Sequence, residues 1–183
     1  MSRVVMWNLV TVDGCFEGPA KWDLGWHQIV IDDEFEQFAI DQLRSADRLL
    51  LGRRTYEGMA AYWPTAKGEV AELMNSVEKF VFTRSGEVPP WANTTVVRED
   101  AAGTVLRLKR EGDGQSLAFG SAELCATLME HDLFDEYRLL VVPVVLGCGS
   151  PLFEGVLSQH QLKLLEVRAL ASGGVIMRYE PLR

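Results

Sequence analysis

The chain has 183 residues, 48 % hydrophobic and 24 % charged, and its 26 acidic against 18 basic side chains leave a formal charge of −8. That balance fits one globular domain and excludes a disordered chain, a collagen-like fibre and a coiled coil. It also argues against a duplex nucleic-acid binder, which needs clustered Lys and Arg, while leaving room for an anionic ligand in a local pocket.

Cys15, Cys125 and Cys148 are an odd number without metal-ligand spacing and read as free thiols of a reducing compartment. The run from Met1 to Trp7 is too short for a signal peptide, and no stretch reaches the about 20 apolar residues of a membrane span. The expectation is a cytoplasmic protein with no metal and no membrane partner.

The elements follow in chain order, as one domain over residues 1–183. Val4–Val10 is apolar enough for a buried strand, ended by the turn signal Thr11-Val12-Asp13-Gly14. A Gly-, Pro- and Trp-rich loop runs from Cys15 to His27. Asp32 or Asp33 then caps a helix whose apolar face is Phe35, Phe38, Ala39 and Leu43. Leu49–Leu51 is a strand closed by Gly52, and a second helix spans Gly68–Ser76. Phe80–Thr83 and Thr94–Val97 are strands on either side of Pro89-Pro90.

Ala101–Arg110 is a helix with Val105 and Leu108 inward, and Leu117–Phe119 is the next strand. Gly120-Ser121 opens a helix carrying Leu124, Leu128 and Met129 on one face. Tyr137–Val145 reads as a long strand interrupted by Pro143, and Gln161–Arg168 with Val175–Glu180 as a closing antiparallel pair. Strands alternate with helices and then follow without them. The pattern is that of an α/β fold, a mostly parallel mixed sheet flanked by helices with an antiparallel C-terminal edge.

Ligands of such sheets sit at the carboxyl ends of the strands. Four strand ends carry suitable groups: Asp13-Gly14, Gly52-Arg53-Arg54-Thr55, Thr83-Arg84-Ser85 and Gly120-Ser121. Glycine lets backbone amides approach a phosphate, the arginines add charge, and the hydroxyls add donors. Taken singly, each is as readily a turn, a cap or a solvated charge. Neither a P-loop nor a Gly-x-Gly-x-x-Gly fingerprint occurs.

The runs Val10–Gly14, Leu50–Glu57, Ala118–Leu124 and Asp135–Leu139 with Val145–Gly149, taken in this order, resemble the dihydrofolate reductase superfamily. The nearest branch is the reductase domain of the riboflavin-pathway bifunctional deaminase-reductase, and the resemblance spans Val4 to Tyr179. It implies a dihydrofolate reductase-like fold with an NADPH site. Gly52, Arg53 and Thr55 would hold phosphates, and Thr83, Arg84 and Ser85 would surround the adenosine ribose and its 2′-phosphate. Gly120, Ser121, Ala122, Glu123 and Leu124 would lie along the pyrophosphate. The family also implies a homodimer.

Two departures concern the substrate. Where riboflavin-pathway reductases carry a Lys six residues before the Asp of the Asp-Gly turn, this chain has Trp7. Where they carry an acid before a Gly-Gly pair, it has Phe119. Both changes remove charges suited to a phosphoribosyl substrate, and no zinc deaminase motif is present.

Asn8, Trp22 and Tyr56 are the substrate-side candidates; Trp22, Trp26, Tyr56, Tyr62 and Trp63 either line a pocket for a flat ring or pack loops onto the core. Asp13 is the catalytic candidate and reads equally as a turn residue. Asp33, Glu34 and Glu36 of the first helix are expected to face solvent.

The sequence therefore points to an NADPH-dependent reductase of a small heterocycle, similar to 5-amino-6-(5-phosphoribosylamino)uracil reductase or dihydrofolate reductase. A non-catalytic nucleotide-binding or regulatory protein of the same fold is the alternative, and a flavin-using oxidoreductase a third.

Overall fold

Strand β1 (Arg3–Thr11) is buried along nearly its whole length, and its alternation divides the core. Val4, Met6 and Val10 join one apolar cluster, Val5 and Trp7 the other. In the computed structural model, which describes residues 1–84 and 86–182, β1 lies inside an eight-stranded sheet.

The short β2 (Cys15–Glu17) and a 3-10 turn at Gly25–Ile29 precede helix α1 (Asp33–Arg44). Asp32 starts α1 by accepting from the Phe35 amide, and the helix buries Phe38, Ala39, Ile40 and Leu43. Next come β3 (Ala46–Gly52), α2 (Arg53–Tyr62), α3 (Glu69–Ser76), β4 (Glu78–Phe82) and β5 (Thr94–Val97).

The chain then returns through α4 (Ala101–Glu111), β6 (Gln115–Ala118), α5 (Ala122–Glu130) and β7 (Glu136–Val142). It ends with the two-residue β8 (Ser150–Pro151), β9 (Leu162–Ala169) and β10 (Val175–Pro181).

The strand order is β5-β4-β3-β6-β1-β7-β10-β9. Every pairing from β5 to β7 is parallel, while β10 runs antiparallel to both β7 and β9. Residues of α1, α2 and α3 pack on one face with Trp7, Leu49, Leu51 and Phe119. Those of α4 and α5 pack on the other with Met6, Leu50 and Ala118.

The expected fold, a mostly parallel sheet with an antiparallel C-terminal edge, is the one observed. Three local readings change. Arg53–Tyr62 is a full helix that the chain-order reading did not separate from its loop. The strand expected over Tyr137–Val145 stops at Val142, because Pro143 has no amide to continue the ladder. Part of the loop after β1 pairs as β2 with β8, Cys15 opposite Pro151 and Glu17 opposite Ser150.

An ionic cluster closes the amino end of β7. Glu136 is fully buried and accepts from Arg138 Nε at 2.6 Å, Arg178 Nε at 2.7 Å and Arg3 at 2.7 Å. Arg138 turns its other nitrogens to Gln42 and, at 2.9 Å, to Gln115. Burial alone would raise the Glu136 pKa, but the hydrogen bonds from Arg138 and Arg178 hold it down at about 2.

A pKa depressed from 4.5 contributes stability that is present above the ordinary value and fades as pH falls toward about 2. Glu136→Gln should therefore cost about 3 kcal/mol at pH 7, and its gap from the wild-type protein should narrow by pH 3. Urea unfolding at both pH values checks this; an unchanged midpoint at pH 7 would show that the cluster carries no stability.

Candidate functional site

All six parallel strands present their carboxyl ends along one edge. The helices leaving β3 and β6, which are neighbours in the sheet, go to opposite faces. Diverging exits of this kind open a crevice between the strand ends.

Asn8 of β1, Thr55 of α2 and Ser121 at the start of α5 tie its floor. The Gly120 amide donates to Asn8 Oδ1 at 2.6 Å, joining β6 to β1. The Ser121 amide donates to Thr55 Oγ1 at 3.0 Å, and Ser121 Oγ accepts the Gly52 amide at 2.9 Å, joining β6 to β3.

Gly120 and Ser121 both lie in the left-handed region, at φ 49° and 56°. A Cβ on Gly120 would stand 3.0 Å from Thr55 Oγ1, so the close approach itself calls for glycine. Ser121 has no such freedom, and these bonds are what hold it there.

Helices α2 and α5 begin at this floor, and neither N-terminus is closed by a capping side chain. Elsewhere the chain does use caps, Asp32 on α1 and Asp100 on α4. The first turn of α2 carries no acid but has Arg53 and Arg54. The first turn of α5 does carry an acid, Glu123, but both helix ends present free amides of the kind that receive an anion.

Arg53 spans from α2 to the segment after β4. Its Nε donates to Glu57 at 2.7 Å and an Nη reaches the Glu87 carbonyl at 3.4 Å. Thr83 is buried at the end of β4 with its amide on the Val97 carbonyl, and Arg84 is exposed beside it. Ser85 lies outside the described residues. Along the α5 turn Ala122 is half-buried, Glu123 is exposed and Leu124 enters the core.

The candidates for substrate and chemistry separate. Asn8 sits on the floor. Trp22, at φ 62°, lies against Gly58 of α2 so closely that a Cβ there would fall 1.9 Å from its ring. Tyr56 is fully buried, its hydroxyl donating to the Pro89 carbonyl at 2.8 Å and its ring beside Trp91, which makes it a core residue.

Asp13 is exposed at the turn after β1. Its carboxylate accepts from Thr11 Oγ1 at 2.6 Å, the Gly147 amide at 2.8 Å and the Leu146 amide at 3.2 Å. The Thr11 and Gly147 bonds hold its pKa below the usual carboxylate value. Of the two readings of Asp13, this geometry supports the turn, since a group kept ionised is a poor proton donor.

Sequence reasoning missed Glu17. Its buried carboxylate accepts the Trp22 amide at 2.6 Å and Arg54 at 2.7 Å, fastening the loop after β1 to the start of α2. An acid in a Gly-rich loop gives no warning of such a role.

Comparison with known families settles the ancestry of this arrangement. The model of the RibD C-terminal domain matches residues 3–176. The chain belongs to that family.

Among curated relatives of this RibD C-terminal domain is the Bacillus subtilis protein described as "Uncharacterized protein YyaP". It is 31 % identical over 183 residues, covering 97 % of this chain and 94 % of the relative. Among solved structures, a putative riboflavin biosynthesis protein from Shewanella sp. PV-4 superposes with a TM-score of 0.78 at 18 % identity, covering 99 % of both chains. Dihydrofolate reductase from Enterococcus faecalis, complexed with NADP(H), superposes with a TM-score of 0.67 at 12 % identity, covering 99 % of this chain and 97 % of that one. At such identities the two structures show the shared fold.

The floor bonds of this RibD C-terminal domain can be tested one at a time. Thr55→Val keeps the shape and removes the acceptor for the Ser121 amide. We expect a loss of about 1–3 kcal/mol in urea unfolding, the range for stranding a buried donor. A loss well below this would mean that the amide finds another partner.

Proposed function

We propose that this chain is an NADPH-dependent reductase of a small heterocyclic substrate, acting as one dihydrofolate reductase-like domain. The observation that carries the reading is the meeting of the uncapped α2 and α5 N-termini at the carboxyl ends of β3 and β6, with Arg53 and Arg84 alongside. Family membership and the likeness to a dihydrofolate reductase complexed with NADP(H) support it.

In this reading the amides of Ala122, Glu123 and Leu124 face the pyrophosphate, and Thr55 and Arg53 take the adjoining phosphate. Thr83, Arg84 and Ser85 border the ribose bearing the 2′-phosphate. The cofactor supplies a hydride; the chain positions it, neutralises its phosphates and keeps water from the crevice. Asn8 holds the floor, and Trp22 borders the acceptor side. Asp13 orders the turn between β1 and Leu146–Gly147, and the proton is drawn from solvent. That lack of a placed acid also favours a second reading, a nucleotide-binding protein of the same fold without hydride chemistry.

NADPH and NADH titrations of the purified protein, followed by tryptophan fluorescence, test the cofactor half. We expect NADPH to bind tightly and NADH weakly. Arg84→Ala should cost NADPH about tenfold in affinity, the worth of a charge-assisted contact, and leave NADH nearly unchanged, whereas Arg53→Ala should weaken both dinucleotides. Equal affinities for the two dinucleotides would remove the 2′-phosphate site. Tight NADPH binding without turnover of any heterocycle would select the non-catalytic reading.

The assembly proposed is a homodimer in the cytoplasm. Edge strand β9 leaves Leu164, Leu165 and Val167 between 41 % and 56 % exposed among its charged residues, apolar surface that a second copy of the chain would cover. Its three cysteines are free, as in a reducing compartment. Val167→Lys should convert the dimer to monomer in sedimentation; a dimer that persists places the interface elsewhere.

A further inference from the structure

Three buried tryptophans invite comparison. Trp26 donates its indole N–H to the Asp23 carbonyl at 3.2 Å and Trp91 donates to Asn75 Oδ1 at 2.7 Å. Trp7 Nε1 is as deeply buried and has no hydrogen-bond partner among the described residues. Folded proteins rarely keep a buried donor unpaired, and those they keep call for an explanation.

The surroundings supply one. Trp7 stands level with the end of β6, its ring edge-on to Phe119 at 4.9 Å and to Phe38 of α1 at 5.7 Å. Phe119 leads directly into the Gly120–Ser121 floor. The next residue, Asn8, also carries a buried and unpartnered Nδ2, on the opposite face. Two adjacent residues of β1 thus hold unmet donors at the crevice, one toward each layer of helices.

The charges around Trp7 are already committed. Arg138 is its partner in register on β7, and all three guanidinium nitrogens go to Glu136, Gln42 and Gln115. On α1, Glu34 accepts from Arg168 and the Ala171 amide, and Asp32 is spent as a cap. Asp33 and Glu36 are exposed. Arg138 and Glu34 are thus already paired, and Asp33 and Glu36 turn to solvent rather than to Trp7.

We propose that Trp7 determines acceptor specificity: its indole N–H donates to a carbonyl oxygen or ring nitrogen of an uncharged, unphosphorylated planar heterocycle lying against Phe119 and Phe38. The inference rests on the reductase reading and names its substrate class. In the reaction, the carbon of the acceptor's C=N or C=O bond gains the hydride of NADPH. The π electrons pass to the heteroatom, which takes a proton from water, and NADPH becomes NADP⁺. A donor at that heteroatom is placed to stabilise the charge it gains.

The test uses the indole ¹H–¹⁵N resonances of the whole protein, with Trp7→Phe identifying the Trp7 signal. The probes are lumazine as the neutral ring, 5-amino-6-(5-phosphoribosylamino)uracil as the phosphorylated one, and NADPH added separately. Lumazine should move the Trp7 proton downfield. Trp7→Phe should weaken lumazine about fivefold, the worth of one neutral hydrogen bond, without changing NADPH affinity.

The phosphoribosyl compound should bind at least about tenfold more weakly than lumazine. The proposal is overturned if the phosphorylated compound binds more tightly, if lumazine binds and leaves Trp7 unmoved, or if neither binds to a protein that binds NADPH. A Trp7 shift with lumazine in a protein that ignores NADPH would keep the ring site and remove the reductase reading.

Discussion

The Gly120–Ser121 turn has two successive residues in the left-handed region, and only one of them is glycine. What keeps it there is a set of three bonds, Asn8 to the Gly120 amide, Thr55 to the Ser121 amide, and Ser121 Oγ to the Gly52 amide. Each bond joins segments that are far apart in sequence. Together they fix where α5 starts relative to α2, and so where two positive helix ends meet. They also decide which amides remain for a ligand. Gly52, Gly120 and Ser121 spend theirs on the protein, and the first turns of the two helices face outward uncapped.

Apart from Glu17 at the start of α2, the buried charges are settled within the protein at the amino ends of the strands. Glu136 is surrounded by three arginines at the amino end of β7. Lys79, fully buried at the start of β4, donates to the carbonyls of Met74, Asn75 and Val77 at the end of α3 and lies 4.5 Å from the Trp91 ring. Burial pushes its pKa down to about 8, so those carbonyls and the ring are what make an ammonium tolerable there. The Cys125 thiol, pushed up to about 12 by burial in α5, is inert packing. The Glu136 and Lys79 clusters thus lie at the amino ends of their strands, opposite the uncapped amides of α2 and α5.

Much of this was legible in the residues because the signals were local. Thr94–Val97 follows the Pro89-Pro90 break, and Asp32 announces its helix by capping it. The helix α2 announces itself less clearly. It lacks a capping side chain, it contains Gly58, and its buried face is only Tyr56 and Ala60. The same absence of a cap that hides the helix makes its N-terminus available to an anion. Glu17, the Glu136 cluster and the fate of Tyr56 were not legible, since each depends on partners brought together by the fold. A tyrosine in a loop of aromatics reads as a ring for stacking, and only the β4–β5 connection above it shows that its hydroxyl is spent on Pro89.

The position of β1 separates two neighbouring roles along one strand. Its residues alternate between the two helical layers, so Asn8 engages the floor beneath α5 while Trp7 faces α1. A change at position 8 disturbs the turn that positions α5, and with it the phosphate cradle. A change at position 7 alters only the wall formed with Phe38 and Phe119. On the proposed reductase reading, the acceptor wall and the cofactor side therefore rest on different residues, Trp7 with Phe119 for the one and the α2 and α5 N-termini for the other.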